Sequence, residues 1–205
     1  MDVNEYTVVP MAEPVFDDFA ARVADAVIAK ARPDAGAVTL RAGDPTMYKL
    51  SDSWLDADVS GVADLIATVK KQLPAMPDAH LLLITPYRDQ PELRTKYDTR
   101  GSGKVSGLGF YADTATYLRR SDTYEQGRGF LAVFANFQLV LINLQSGAVE
   151  GHERVVIGTT YSAARAEDRT PWEALTSAQK ARALESLIKK GIEDSLPKML
   201  TARKP

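Results

Sequence analysis

The chain contains 205 residues, of which 45% are hydrophobic and 25% are charged. This length is typical of one substantial core that buries roughly 70% of the surface of the unfolded chain, so we predict a single domain over residues 1–205. The formal net charge of −2 provides no basic field for phosphate backbones, and we predict no binding of nucleic acid. The absence of cysteine excludes disulfides, thiolate nucleophiles and cysteine zinc sites.

Targeting and membrane signals are also missing from the sequence. Its first residues carry neither the basic nor the apolar region of a signal peptide. No run of about 18 apolar residues occurs, so we predict no transmembrane segment. A chain without cysteine suits both reducing and oxidising compartments. Localisation is therefore open between the cytoplasm and, if a signal segment precedes this sequence in the native chain, the periplasm or cell envelope.

The first part of the chain contains signals for two strands and two helices. Residues 6–9 form a β-compatible run that ends at Pro10, and residues 37–40 form another before the turn signal at residues 43–45. Apolar residues recur at helical spacing twice, which predicts one amphipathic helix from about Pro14 to before Pro33 and another over residues 59–73. The predicted stripe of the first helix comprises Val15, Phe16, Phe19, Ala20, Val23 and Val27.

The middle of the chain contains a continuous apolar run, Leu81–Leu82–Leu83–Ile84, with prolines on both sides. Such a run is typical of a strand that is buried on both faces between helices. We therefore predict that it lies at the centre of the fold.

The second half contains the clearest β signal and the clearest helix signal. Alternating apolar residues from Leu131 to Leu141 predict a long strand, and residues 129–161 as a whole predict an antiparallel hairpin. Thr170–Glu173 and Thr176–Gln179 match capping boxes, so one of them should open a terminal helix that Pro197 ends or kinks. The buried stripe of this helix should comprise Leu184, Leu187, Ile188, Ile192 and Leu196.

These elements predict an α/β fold in a single domain. We expect a mixed sheet with a long antiparallel hairpin near the C-terminal half, packed by about three helices. The early strands would be parallel through helical crossovers.

Residues 85–129 form a Gly- and Tyr-rich segment that is more elaborate than the core requires. It contains five of the eight tyrosines and six of the thirteen glycines, and structureless loops of this length are usually functional or disordered. Ligands favour the carboxyl ends of strands, and tyrosine and arginine are enriched at interfaces. The predicted binding residues are therefore Tyr87, Arg88, Asp89, Lys104, Tyr111, Asp113, Arg119 and Arg120.

Several familiar chemistries do not fit the sequence. Gly101–Ser102–Gly103–Lys104 resembles part of a phosphate-binding loop, but the residue after Lys104 is valine and the glycine spacing is wrong for mononucleotides and dinucleotides. Glu150 and His152 supply at most two metal ligands, whereas a catalytic zinc site needs three. No Gly-x-Ser-x-Gly motif accompanies either histidine. We therefore predict no catalytic residue, no metal and no cofactor.

Three hypotheses for function follow. The first is a non-enzymatic binding or assembly domain that uses residues 85–129 to recognise a protein, peptide or glycan, a character that would suit a bacterial accessory or envelope protein. The second is a small hydrolase or transferase with its site after the strand of residues 80–84, using Asp89, Asp113 or His152 as acid or base. The third is an oligomerising structural subunit that pairs through the edge of the apolar hairpin.

Overall fold

The structure is a computed structural model that describes residues 14–40, 67, 71, 78–90, 93–94, 99–100, 103–119, 124–163 and 170–201. Within these residues it contains two α-helices, seven strands and one short 3₁₀-helix. In chain order the elements are α1 (Val15–Ala31), β1 (His80–Pro86), β2 (Arg88–Asp89), β3 (Leu93–Arg94), β4 (Thr99–Arg100), β5 (Val105–Arg119), β6 (Gln126–Asn143), β7 (Val149–Ser162), the 3₁₀-helix (Pro171–Ala174) and α2 (Ser177–Thr201).

The centre of the sheet is β6, which has 18 residues. β7 pairs with one edge of β6 over residues 130–142. On the other edge, β5 pairs with residues 126–136 and β1 pairs with residues 137–143. All of these pairings are antiparallel, and the predicted long hairpin of residues 129–161 is confirmed as β6 and β7.

β1 and β5 together line one edge of β6 as a single strand would. β1 ends at Pro86 opposite Phe137, and β5 begins to pair at Gly107 opposite Asn136. The chain therefore leaves this edge after Pro86 and returns to it at Gly107, opposite the next position of β6, and we call the described residues in between (87–90, 93–94, 99–100 and 103–106) the excursion. β2 pairs with the start of β5, while β3 and β4 pair with each other.

One face of the sheet is covered by the two helices. On this face the odd-numbered residues of β6 from Leu131 to Leu141 join one core cluster with α1 and α2. The predicted stripe of α2 is confirmed because Leu184, Leu187, Ile188, Ile192 and Leu196 are all buried. Each such side chain contributes about 1.5–3 kcal/mol when it is removed from water. In α1 the stripe also packs on this cluster, except Val15, which is exposed.

Both predicted capping boxes form. Thr170 N donates to Glu173 Oε2 at 3.1 Å at the start of the 3₁₀-helix. Thr176 N donates to Gln179 Oε1 at 2.9 Å, and Gln179 N donates to Thr176 Oγ1 at 3.3 Å, which satisfies amides before the first turn of α2. Pro197 does not end α2, which continues to Thr201.

The second face of β6 is buried as well, under different residues. At one end Phe130, Ala132 and Phe134 pack with Leu93 of the excursion. At the other end Val140 and Ile142 pack with Leu81 and Leu83 of β1. The excursion therefore supplies part of the core on this side of the sheet.

Four predictions about the fold need correction. The described strand pairs are all antiparallel, so the sheet is not mixed, and two α-helices are described instead of about three. β1 lies at the end of the strand order and β6 at its centre. Residues 37–40 form no strand, and Val38 is 82% exposed, because no neighbouring strand pairs with it in the described structure. The predicted strand of residues 6–9 and the helix of residues 59–73, apart from residues 67 and 71, lie outside the described residues.

Candidate functional site

The hairpin of β5 and β6 extends beyond β7. Pairing with β7 starts at Phe130, whereas β5 continues to pair with β6 through residues 126–128. Residues 117–119 and 124–128 therefore extend beyond the part of the sheet that β7 covers, and we call these described residues the arm. Residues 120–123, including the predicted site residue Arg120, lie outside the described residues.

The base of the arm is an irregularity in β5 that Asp113 organises. The register shifts between Asp113 and Tyr117. Asp113 Oδ1 accepts hydrogen bonds from Ala115 N at 2.8 Å and Thr116 N at 2.7 Å, and its Oδ2 accepts one from Thr116 Oγ1 at 2.9 Å. Across the pair, Gly129 has a φ of 86°, and a Cβ there would lie 2.6 Å from Asp113 O. The predicted site residue Asp113 thus stabilises a β-bulge at the base of the arm.

Replacing Asp113 with alanine should loosen the base of the arm. We expect Asp113→Ala to lower the free energy of unfolding by about 1–2 kcal/mol, because two backbone amides and a hydroxyl lose a charged acceptor. Amide hydrogen exchange at Ala115 and Thr116 should accelerate more than exchange in β7. Asp113→Asn, which keeps an acceptor oxygen, is the matched control and should lose less. Wild-type exchange at Ala115 and Thr116 in Asp113→Ala would show that the carboxylate does not hold the bulge.

One face of the arm presents tyrosine and arginine together. Tyr117 is opposite Arg128, and Arg119 is opposite Gln126, and opposite residues in an antiparallel pair lie on the same face. The guanidinium of Arg119 lies 4.8 Å from the centre of the Tyr124 ring. The two tyrosines are 68% and 66% exposed. This set, Tyr117, Arg119, Tyr124, Gln126 and Arg128, is the arm face.

Three other predicted site residues lie at the opposite end of β5. Arg88 pairs with Ser106 and Asp89 pairs with Val105 in β2 and β5, and Lys104 directly precedes β5. A strand rises about 3.3 Å per residue, so roughly 45 Å of strand separates these residues from Arg119. Those predicted residues that the structure describes therefore do not all converge on one surface.

Tyr87 is buried beside the polar centre of the second face. Its amide donates to Asn136 O at 3.0 Å, and the guanidinium of Arg154 lies 4.9 Å from its ring centre. Tyr87 adjoins one edge of β6, whereas Arg154 belongs to β7 on the other edge. Because adjacent strands lie about 4.8 Å apart, the two side chains meet above β6. This Tyr87–Arg154 pair therefore lies over the buried amides of that strand.

Those buried amides are Asn136 and Gln138, which are 0% and 1% exposed. Asn136 Nδ2 lies 3.4 Å from Asp89 O and 3.3 Å from Val105 O, so it donates to the excursion where it leaves and rejoins the sheet. Gln138 Oε1 lies 3.0 Å from His152 Nε2. Asn136 Oδ1 and Thr85 Oγ1 are buried without a hydrogen-bond partner among the described residues.

The remaining predicted residue, Tyr111, belongs to the core of the second face. Its ring stacks on Phe130 with centroids 6.1 Å apart. It packs with the cluster that includes Leu93 and Phe134. Tyr111 therefore supports β5 from within and does not share the arm face.

The residues considered for acid–base chemistry lie apart. Asp89, Asp113 and His152 belong to β2, β5 and β7 respectively, and each is engaged locally, Asp89 through Gln90 N at 2.7 Å. Two of the described groups have a shifted pKa. Burial, and to a smaller extent repulsion from Asp18, raises the pKa of Asp17. Burial lowers the pKa of Lys180, and Glu173 opposes this shift. Asp17 belongs to α1 and Lys180 to α2, whereas the three candidates belong to strands.

A separate polar cluster lies at the turn between β6 and β7. His80 Nε2 is 3.3 Å from Glu150 Oε2, and Asn143 Nδ2 donates to Glu150 Oε1 at 3.0 Å. Asn143 Oδ1 also accepts from Gln145 N and Ser146 N. The cluster therefore attaches β1 to the hairpin turn and orders that turn.

The described ranges contain neither a metal-binding cluster nor a membrane-spanning helix. There, no group of three or more His, Asp or Glu side chains is placed to hold a metal ion. The helices of this part of the chain are too short or too polar to cross a membrane.

Sequence reasoning missed the residues that organise these surfaces. The predicted binding residues do not include Tyr124 and Arg128, which complete the arm face. They do not include Asn136 and Arg154 either. The available signal was the pair of amides in an otherwise apolar strand, since a buried amide needs a specific partner. The residues that supply those partners are 31 and 47 positions away from Asn136.

No protein-family model, curated protein or solved structure matches the chain. Inference about its function therefore depends on the geometry of its own surfaces.

Proposed function

We propose that the chain is a non-enzymatic binding domain that recognises an extended acidic peptide segment of a partner protein through the arm face. The observation that carries this proposal is the exposure of Tyr117 and Tyr124, 68% and 66%, beside two arginines at the end of a projecting hairpin. The proposal keeps the binding function predicted from residues 85–129 and assigns it to one end of that segment.

The residue types of the arm face support recognition. Tyrosine and arginine dominate the binding energy of many protein interfaces, because they combine a large contact area with directional hydrogen bonds. The contact of Arg119 with the Tyr124 ring holds both side chains in one arrangement before a partner arrives. Such preorganisation reduces the side-chain entropy that binding costs.

The charge of the arm face supports an acidic partner. The paired positions 117, 119, 126 and 128 contribute two arginines and no carboxylate. No hydrogen bond or ion pair engages Arg128 in the described part of the chain. A free guanidinium on an exposed face is suited to a carboxylate, which it binds through two parallel hydrogen bonds.

The backbone of the arm supports an extended partner. Within the described residues, β5 over 117–119 and β6 over 126–128 each pair with a strand on one side only. An extended peptide can add to such an edge by main-chain hydrogen bonds, while its alternate side chains contact the arm face. The same geometry permits selection by charge at every second residue of the peptide.

The experiment measures fluorescence anisotropy of two labelled probe peptides, one of alternating glutamate and valine and one of alternating lysine and valine. We expect saturable binding of the acidic peptide and none of the basic peptide. The double variant Arg119→Gln, Arg128→Gln should weaken binding roughly tenfold or more, because two charge-assisted contacts are lost. Tyr117→Ala should weaken it by a similar factor. Raising the salt concentration from about 50 mM to about 300 mM should weaken it further.

The matched control is Arg22→Gln. Arg22 is an exposed arginine that also lies over an aromatic ring, that of Phe19 at 5.9 Å, but it belongs to α1. This variant should bind as the wild type does, and all variants should melt within a few degrees of it. Equal binding of both peptides, or unchanged affinity in the double arginine variant, would contradict the proposal. Binding of an acidic oligosaccharide in place of the acidic peptide would reassign the partner to a glycan.

A further inference from the structure

A groove of about 280 Å³ lies between α2 and the end of β7. Its lining comprises Tyr161, Leu175, Gln179, Arg182, Ala183 and Ser186. Pockets for drug-sized ligands occupy roughly 300–1,000 Å³, so this groove, just below that range, suits a smaller ligand. It is separate from the arm face and from the buried amides of the second face.

The groove has an apolar floor and one polar wall. Leu175 and Ala183 are buried and, with the ring of Tyr161, form the apolar part. On α2 the lining residues follow the spacing i, i+3, i+4 and i+7, which places Gln179, Arg182 and Ser186 on one stripe of the helix. Arg182 and Ser186 are four residues apart and therefore adjacent on that stripe.

Three polar groups that line the groove are not committed to the fold, whereas Gln179 accepts a hydrogen bond from Thr176 N in the capping box of α2. Arg182, Ser186 and the hydroxyl of Tyr161 have no side-chain hydrogen bond or ion pair within the described ranges. The neighbouring cation, Lys180, lies 3.6 Å above the ring of Trp172 and is buried. Arg182 is therefore the cation that faces the groove.

We propose that this groove binds a small monocarboxylic acid with an apolar body. The guanidinium of Arg182 would bind the carboxylate, because its planar donors match the two carboxylate oxygens. The hydroxyls of Ser186 and Tyr161 supply further donors, and Leu175, Ala183 and the Tyr161 ring contact the apolar body. A few convergent polar groups above an apolar floor is the usual composition of a small-molecule site.

The probe is phenylacetate, followed by backbone amide chemical shifts in an NMR titration. About ten heavy atoms support a Kd of around 1 mM. We expect saturable shifts at residues 161, 175 and 179–186, with phenylacetamide, the neutral analogue of the same shape, binding at least about tenfold more weakly. Arg182→Gln should weaken phenylacetate binding by a similar factor and leave phenylacetamide unchanged. Arg182→Lys should recover part of the lost phenylacetate affinity, because lysine restores the positive charge but lacks the paired planar donors of a guanidinium.

The matched control is Lys189→Gln, which removes one positive charge from an exposed position of the same helix outside the groove. It should bind phenylacetate as the wild type does, and so should the arm variant Arg119→Gln, Arg128→Gln. The proposal would be overturned if phenylacetate and phenylacetamide bound equally well, or if Arg182→Gln left the affinity for phenylacetate unchanged. It would also be overturned if the chemical shifts did not saturate or changed only outside the groove. Because Arg182 is exposed, its variants should melt within a few degrees of the wild type, so a loss of binding reports on the site.

Discussion

Replacing Asn136 with aspartate should destabilise the fold by about 3–5 kcal/mol at pH 7, because the new charge would be buried without a partner. Asn136 is 0% exposed, and its Nδ2 faces the carbonyl oxygens of Asp89 and Val105. A carboxylate at this position would direct negative charge toward two acceptors. For a chain of this size, each kcal/mol corresponds to about 2–4 °C, so the melting temperature should fall by about 6–20 °C.

The loss caused by Asn136→Asp should depend on pH in a defined direction. Burial and the two carbonyl oxygens would raise the pKa of the introduced carboxyl in the folded state above its unfolded value of about 3.9. The folded state would then bind more protons than the unfolded state between those two pKa values. The destabilisation relative to wild type should therefore be smallest near pH 4 and increase as the pH rises toward 7. The measurement is urea unfolding of both proteins at several pH values.

The control for this prediction is Gln145→Glu, the same change from amide to acid at an exposed position of the β6–β7 turn. It should alter the free energy of unfolding by about 0.5 kcal/mol or less. If Asn136→Asp lost no more than this control, or lost the same amount at all pH values, water would reach Asn136 in spite of the Tyr87–Arg154 pair.

The role of Asn136 also explains why the centre of the sheet was placed wrongly from the sequence. The uninterrupted apolar run of residues 81–84 is typical of a central strand, whereas β6 carries two amides that normally mark a solvent-facing side. In the fold, the amide of Asn136 donates to two carbonyls of the excursion, so it can be buried without exposing the strand. Local pattern predicted the strand and its hairpin correctly. The local pattern could not predict that Asn136 would find a hydrogen-bond partner 47 residues away in the sequence.

The glycines of residues 85–129 concealed a strand for a related reason. Gly107 and Gly109 weaken the local preference for β structure, and the segment resembles a loop. In the structure the Phe134 ring occupies the space above Gly109, where a Cβ would lie 2.6 Å from Phe134 Cζ. The glycine is therefore required by an aromatic neighbour on β6, and this requirement depends on the register between two strands.

The candidate site was predictable in residue type and only partly in position. Tyrosine and arginine in residues 85–129 predict a recognition surface, and Arg119 lies beside the exposed Tyr124, but the binding role of these residues stays a prediction. Tyr87 is instead buried and Tyr111 half-buried in the second face. Their burial follows from the excursion covering that face, which brings together residues distant in sequence. Composition identifies candidates for recognition, but the pairing of β5 with β6 decides which of them reach solvent.

A close approach of α2 to the sheet at Gly191 gives the second large expected effect. A Cβ on Gly191 would lie 2.6 Å from Val155 Cγ1 and 2.8 Å from Phe137 Cζ, and both of these side chains are buried. We expect Gly191→Val to lower the free energy of unfolding by about 3 kcal/mol, since overpacking a dense core typically costs about 1–3 kcal/mol and valine adds three carbons. The melting temperature should fall by about 6–12 °C.

Two further variants separate steric conflict from helix preference. Gly191→Ala gains about 1 kcal/mol in helix propensity, so any net loss in this variant must come from contact with the sheet. Gly36→Val is the matched control, because a Cβ at Gly36 meets nothing within 4 Å, and it should change the free energy of unfolding by about 0.5 kcal/mol or less. If Gly191→Ala stabilises the protein, α2 must lie farther from β6 and β7 than these distances indicate. If it destabilises while Gly36→Val does not, the helix is seated on the sheet at Gly191, and the exposed stripe that lines the groove is fixed in position by the same contact.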